Sequence, residues 1–222
     1  MVARSVDWIR SLKTILVWSP GSCSLAPHIV LEELGTPFAL QEVSTDKGEM
    51  RSEAFAKLNP KGRVPVLIEG CTIYTEAPAI LLHLAQKSED GCLLPKGAEE
   101  LVRTLEWFNW LSGTVHSVAI RQIWRSEYFT LSNDGCESIK GKGHEHLRQA
   151  FRQIEERNEG GWLMPSGYTV LDPYLLVFYR WGNRLGYNMR DNYPVWTCHA
   201  ERMMMRPAVQ SAFATEGIDL WR

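Results

Sequence analysis

Apolar and polar positions follow two regimes along this chain. Up to about residue 88 the apolar stretches are short and broken by glycine, proline and polar turns; further on they recur at helical spacing. Ile15 to Trp18 is apolar without interruption, which predicts a short strand buried on both faces. From Ala26, the positions Ile29, Val30, Leu31 and Leu34 suit a helix with one packed face, and Gly35 supplies its stop. Residues 38–43 predict a second strand, and a helical crossover of that length makes it parallel to the first. Residues 51–58 suit a short helix closed by Asn59-Pro60-Lys61-Gly62. A third strand is predicted over 64–68 and a fourth over 71–74. The short Glu69-Gly70 turn between them makes that pair antiparallel. A helix then starts at Thr75-Glu76-Ala77-Pro78, with Ile80, Leu81, Leu84 and Ala85 as its apolar stripe.

Residues 87–97 are polar and carry Gly91, Pro95 and Gly97, the composition of a linker. Strand patterns end there. Helices are predicted over 99–125, 137–158, 170–185, 193–205 and 207–213. The expected class is therefore α/β plus all-α. An α/β domain spans 14–88, a linker 89–97 and an all-helical domain 98–222, with 1–13 as an N-terminal extension. The order β-α-β-α-β-β-α in the first domain is the thioredoxin-like pattern. No internal repeat or low-complexity segment stands out.

Composition narrows the function classes. The 222 residues are 45% apolar and 23% charged, ordinary for a globular protein. The net charge of −2 gives no reason to expect a nucleic acid or an anionic membrane as partner. No apolar run reaches the roughly 20 residues that span a bilayer. Asp7 and Arg10 interrupt what would have to be the apolar stretch of a signal peptide, so a cytoplasmic location is expected. The five cysteines are scattered and form no C-x-x-C pair, which fits reduced thiols better than disulfides or a zinc site. No metal is expected.

The candidate chemistry centres on Cys23, placed where the turn Ser19-Pro20-Gly21-Ser22 gives way to a helix. Free N–H groups and the helix dipole at such a position favour a thiolate, the nucleophilic form of cysteine. Ser22 and Ser24 flank it with hydroxyl donors. A lone cysteine at a turn is also a common inert feature, and residues alone leave both readings open. Asn109, Gly113 and His116 fall on one face of the long helix predicted over 99–125, as a cleft lining or as an interhelical contact. Trp107, Trp110 and Trp124 suit core or a subunit interface, with Trp110 or Trp124 as a possible aromatic floor. Thr169 and Asp172 read as a capping-box-like pair with a folding role.

Three stretches, taken together, resemble the glutathione S-transferases, most closely the bacterial beta class. They are SPGSCSLAPHIVLEE (residues 19–33), NPKGRVPVL (59–67), and TVLDPYLL (169–176) followed by RPAVQSAFATEG (206–217). The resemblance runs from Thr14 to Trp221 and implies a glutathione-dependent enzyme, usually a homodimer, with glutathione as co-substrate. It implies a cis Val64-Pro65 bond whose flanking groups pair with the glutathione backbone. It also implies that Glu76 meets the ligand's amine and that the Ala77 helix terminus receives the γ-glutamyl carboxylate. Cys23 then lies beside the glutathione sulfur. Trp18 stands where other classes carry a tyrosine, and Asn109 and His116 match positions on the electrophile side. Two departures stand out: Ala77 replaces a frequent serine and Ser117 a frequent lysine. The expected reaction is attack of the glutathione thiol on a small hydrophobic electrophile. Two alternatives accompany it: disulfide or peroxide reduction through a Cys23–glutathione mixed disulfide, and a non-catalytic binding or regulatory role.

Overall fold

The uninterrupted apolar run Ile15 to Trp18, with Thr14 before it, forms the first strand, β1 (Thr14–Trp18), and its Leu16 and Val17 are fully buried on opposite faces. The computed structural model describes residues 14–45, 47–88, 91–158 and 161–222, so the extension 1–13 and the first two residues of the expected linker lie outside the described residues. Helix α1 (Leu25–Leu34) crosses over to β2 (Ala39–Glu42), which pairs parallel with β1. Helix α2 (Glu53–Leu58) is capped by the Ser52 hydroxyl. Strands β3 (Val66–Glu69) and β4 (Thr72–Thr75) follow, and β3 pairs antiparallel with both β1 and β4. The sheet order is β2-β1-β3-β4, and α3 (Ala77–Ala85) completes the thioredoxin-like domain.

Alternation along the strands sorts the core. Val17 pairs with Val66 and packs under Phe55 and Val43 on one face. Leu16 and Leu67, also paired, face α1 and α3 and join the main core.

The remainder is helical. Helix α4 (Ala98–Trp110) runs into a π-helical segment (Leu111–Ile120) and a last α-turn, α5 (Arg121–Trp124). Sequence periodicity suggests one regular helix here; the i−5 bond from the Arg121 N–H to the His116 carbonyl shows the wider register instead. Helix α6 (Asn133–Arg157) packs on the π segment, and a Cβ on Gly143 would meet Gln122, Ile123 and the Ala119 carbonyl within 3.0 Å. Helix α7 (Leu171–Arg184) runs through the centre, buried from Leu171 to Gly182. Helices α8 (Met189–Asn192), α9 (Pro194–Met204) and α10 (Pro207–Glu216) close the chain. Ile29 and Ile80 of the first domain share one continuous core with Phe108, Phe151 and Phe178 of the helical part. The two parts are thus held together by the same hydrophobic burial that stabilises each.

Candidate active site

A cleft of about 480 Å³ opens between the thioredoxin-like domain and the helices. Its floor is the turn after β1. Gly21 turns the chain at φ +62°, and a Cβ there would strike the Arg180 guanidinium. Its carbonyl accepts from the Trp181 indole N–H at 2.9 Å and from Arg180 at 3.3 Å, while its N–H donates to the Glu216 carboxylate at 2.8 Å. Ser24 is fully buried and knits this turn together. Its Oγ accepts the Ser19 N–H at 3.2 Å and lies 2.7 Å from the Ser22 Oγ. Ser22 lines the cleft, but Ser24 does not.

Cys23 lines the cleft floor and is largely buried, with its Sγ donating to the Val64 carbonyl at 3.4 Å. Burial pushes its pKa up to about 12. Glu76 reinforces this, while the Cys23 N–H and Arg63 oppose it without prevailing. Of the two readings the sequence leaves open for Cys23, burial favours the un-ionised thiol. The helix begins two residues later, at Leu25, and desolvation outweighs what remains of its dipole.

The opposite lip is the loop 59–65. Asn59, buried, donates to the Arg63 carbonyl at 2.6 Å and accepts the Lys61 N–H at 3.1 Å, which folds the loop back on itself. The Val64-Pro65 bond is cis, and both residues line the cleft. Glu76 has φ +73°, a backbone conformation that strains a side chain with a Cβ. The turn directs its carboxylate onto Lys61, which also reaches the Thr75 hydroxyl at 2.8 Å. Ala77 opens α3, and Pro78 occupies the first turn, where its missing N–H removes no helix bond.

The helices supply the other wall. His116 lines it, half-buried, with its ring 4.8 Å from Trp181. Burial, with Arg63 and Arg121 adding to it, lowers its pKa to about 4, so it is neutral at pH 7. The Tyr174 ring also lines the cleft, and burial holds its phenol pKa well above the usual value. Two expected residues lie elsewhere. Trp18 is buried beside His28, 5.9 Å ring to ring, and does not reach the cleft. Asn109 is exposed, and its amide bonds the Leu105 carbonyl at 2.9 Å. The π register between Asn109 and His116 breaks the seven-residue spacing that would have put them on one face.

Four arginines went unnoticed in the sequence: Arg63, Arg121, Arg125 and Arg184 all line the cleft. Against them Glu76 is the one lining carboxylate among the described residues. Part of the signal was present as spacing: Ser117, Arg121, Trp124 and Arg125 fall on one face of the helix predicted over 99–125, whereas no local pattern marks Arg63 or Arg184. Among the described residues no group of three or more His, Cys, Asp or Glu side chains is placed to hold a metal.

Comparison with known proteins agrees with this geometry. Residues 20–87 match the family model of the glutathione S-transferase N-terminal domain. The chain is 30% identical over 207 residues to glutathione S-transferase GstA of Escherichia coli O157:H7, covering 91% of this chain and 98% of that one. A Sulfitobacter glutathione transferase homologue, solved with bound glutathione, superimposes with a TM-score of 0.87 at 25% identity, over 92% of this chain and 99% of the other. A beta-class glutathione S-transferase of Sphingomonas chungbukensis gives 0.77 at 29% identity, over 92% and 100%. The thioredoxin-like domain joined to helices across a cleft is the architecture of these glutathione transferase structures. This chain belongs to the glutathione S-transferase family and is a glutathione transferase.

Proposed function

We propose that glutathione lies along the lip formed by Val64, Pro65, Glu76 and Ala77, with its sulfur facing Cys23 and Ser22. In this reading residues 14–88 hold glutathione, and residues 98–222 form the wall of the electrophile site. The Ala77 N–H at the start of α3 receives the γ-glutamyl carboxylate, and Glu76 moves from Lys61 to the ligand's amine. Arg63, next to Val64, offers a cation to the second carboxylate of the tripeptide.

The observation that carries the mechanism is the thiol of Cys23, neutral and donating at the cleft floor. With a pKa pushed up to about 12 by burial, the thiol is the prevailing form at pH 7. Cys23 is thus a poor nucleophile that keeps its S–H proton available to donate. Its S–H turns from the Val64 carbonyl to the glutathione thiolate and stabilises it, and that sulfur attacks the electrophile. Cys23→Ala should lower kcat/KM about 10- to 100-fold, since a hydrogen bond to a charged group is worth about 1.5–3 kcal/mol. Cys23→Ser, which keeps a donor, should retain most of the activity. Equal loss in both variants would make Cys23 a nucleophile and restore the mixed-disulfide route. The same chemistry predicts that intact mass after incubation with oxidised glutathione near pH 7 shows no glutathionyl adduct on Cys23.

The assembly is proposed as a homodimer. Ile73 on β4 and Val102 and Leu105 on α4 are exposed apolar side chains, and Asn109 lies one turn beyond Leu105 on that helix. Light scattering should give the mass of two chains; a single-chain mass across micromolar concentrations would reject the dimer. All five cysteines are free, which supports a reducing, cytoplasmic compartment, and the proposed conjugation of electrophiles would make the role there a detoxifying one.

A further inference from the structure

The four arginines of the cleft outnumber its carboxylates in a chain with 24 basic and 26 acidic residues, so the composition does not account for them. Among the described residues none of the four is in a salt bridge, although eight lysine or arginine bridges form elsewhere. Glutathione, on the reading above, engages Arg63 at most. That leaves Arg121, Arg125 and Arg184 on the helical wall.

These three alternate with aromatic rings. The Arg121 guanidinium lies 4.8 Å from the Tyr128 ring centroid, and Arg184 lies 5.5 Å from that of Trp124. Trp124 in turn meets Trp181 edge to face at 5.3 Å, and Trp181 touches His116. Arg121 is half-buried, and burial together with Arg63 and Arg125 lowers its pKa from the usual value. Guanidinium groups gathered around a single lining carboxylate among the described residues, Glu76, which is itself paired with Lys61, repel one another, and a bound anion relieves that repulsion. The planar fork of arginine suits a carboxylate, and the aromatic wall beneath it suits a ring.

We propose that the electrophile half of this cleft selects aromatic substrates bearing a carboxylate, with Arg121 and Arg184 as specificity-determining residues. This deepens the glutathione transferase reading and rests on it. The reaction with a halonitrobenzoate would form a C–S bond from the glutathione sulfur to the ring carbon. The carbon–halogen bond breaks, halide leaves with its electron pair, and the thiol proton passes to water. The carboxylate takes no part in the bond changes; it positions the ring.

The test separates recognition from chemistry with an unreactive pair. 3-Nitrobenzoate and its neutral isostere 3-nitrobenzamide are titrated by calorimetry into protein saturated with S-methylglutathione. The benzoate should bind at least about tenfold more tightly than the amide, the size of one charge-assisted contact. In Arg121→Gln/Arg184→Gln the two probes should bind within about twofold of each other, with S-methylglutathione affinity unchanged as a check of folding. Equal affinities in the unaltered protein, binding of neither probe, or a preference that survives the double substitution would overturn the proposal. Two glutathiones per chain, the second lost in the double variant, would assign the arginines to a second tripeptide and overturn the aromatic assignment. Failure of S-methylglutathione itself to bind would instead refute the glutathione site, and the probe pair would then be read in its absence.

Discussion

Cys23 and His116 reach the same cleft from different halves of the chain, and burial keeps both neutral. Fixed positive charge comes instead from arginines, which stay ionised where a cysteine or histidine does not. His116 carries a testable consequence. Its pKa is about 4 in the folded chain against 6.5 for the free group. Between those values the unfolded chain binds the extra proton, so stability rises with pH. The contribution is complete above pH 6.5 and is lost as the pH falls toward 4. Denaturant melts across that window should show a weaker pH dependence for His116→Gln than for the parent. Parallel curves would mean that His116 titrates normally in the fold. Taking the difference between the two proteins cancels the other lowered histidine, His144.

Helix α7 begins at a buried carboxylate. Asp172 accepts the Thr169 N–H at 2.8 Å, the Leu163 N–H at 3.0 Å and His199 Nε2 at 2.9 Å. The capping pair visible in the sequence is thus one part of a wider junction that ties α7, α9 and the preceding loop. Asp172→Ala strands all three partners and should cost about 3–5 kcal/mol in a denaturant melt. Asp172→Asn keeps an acceptor and should cost less; a loss under about 1 kcal/mol for the alanine would show that the junction repacks. At this scale the sequence was readable wherever information is local. The strand run Ile15–Trp18, the Gly35 stop and the Thr169-Asp172 cap each announce themselves within a few residues, whereas the cis Val64-Pro65 bond was legible only through the family resemblance. Ser22, Cys23, Val64, Pro65, Glu76, Ala77 and His116 line the cleft. Helix phase was not readable. Within Leu111–Ile120 the Ser117 hydroxyl donates to the Ser112 carbonyl five residues back, at 2.6 Å, and the register widens. A wheel drawn at 3.6 residues per turn then places Asn109 in the cleft. Burial was not readable either: the position of Cys23 near a helix terminus suggests a low pKa, and only its surroundings reverse it.

The whole molecule meets at Gly21. The carboxylate of Glu216, on the last helix, is fully buried; it accepts the Gly21 N–H and contacts His28 Nδ1, each at 2.8 Å. A group 195 residues away along the chain therefore fixes the turn that carries Cys23. Trp181 and Arg180 hold the carbonyl of the same glycine, so the helical part grips the turn from both sides of one residue. Glu216→Ala leaves the Gly21 N–H and His28 unsatisfied. At about 1–3 kcal/mol for each stranded buried group, its stability should fall by an amount comparable to Asp172→Ala. The two variants should differ in binding. Asp172 touches no cleft-lining residue in its hydrogen bonds, whereas Glu216 sets the backbone under Cys23 and Ser22. Calorimetric titration of glutathione, at a temperature where both variants remain folded, should show weaker binding for Glu216→Ala and near-parental binding for Asp172→Ala. Glu216→Gln, which keeps an acceptor for the Gly21 N–H, should recover much of that affinity. If both alanine variants bind glutathione alike, Glu216 serves stability alone, and the turn after β1 holds its shape through Gly21, Ser24 and the aromatic wall without it.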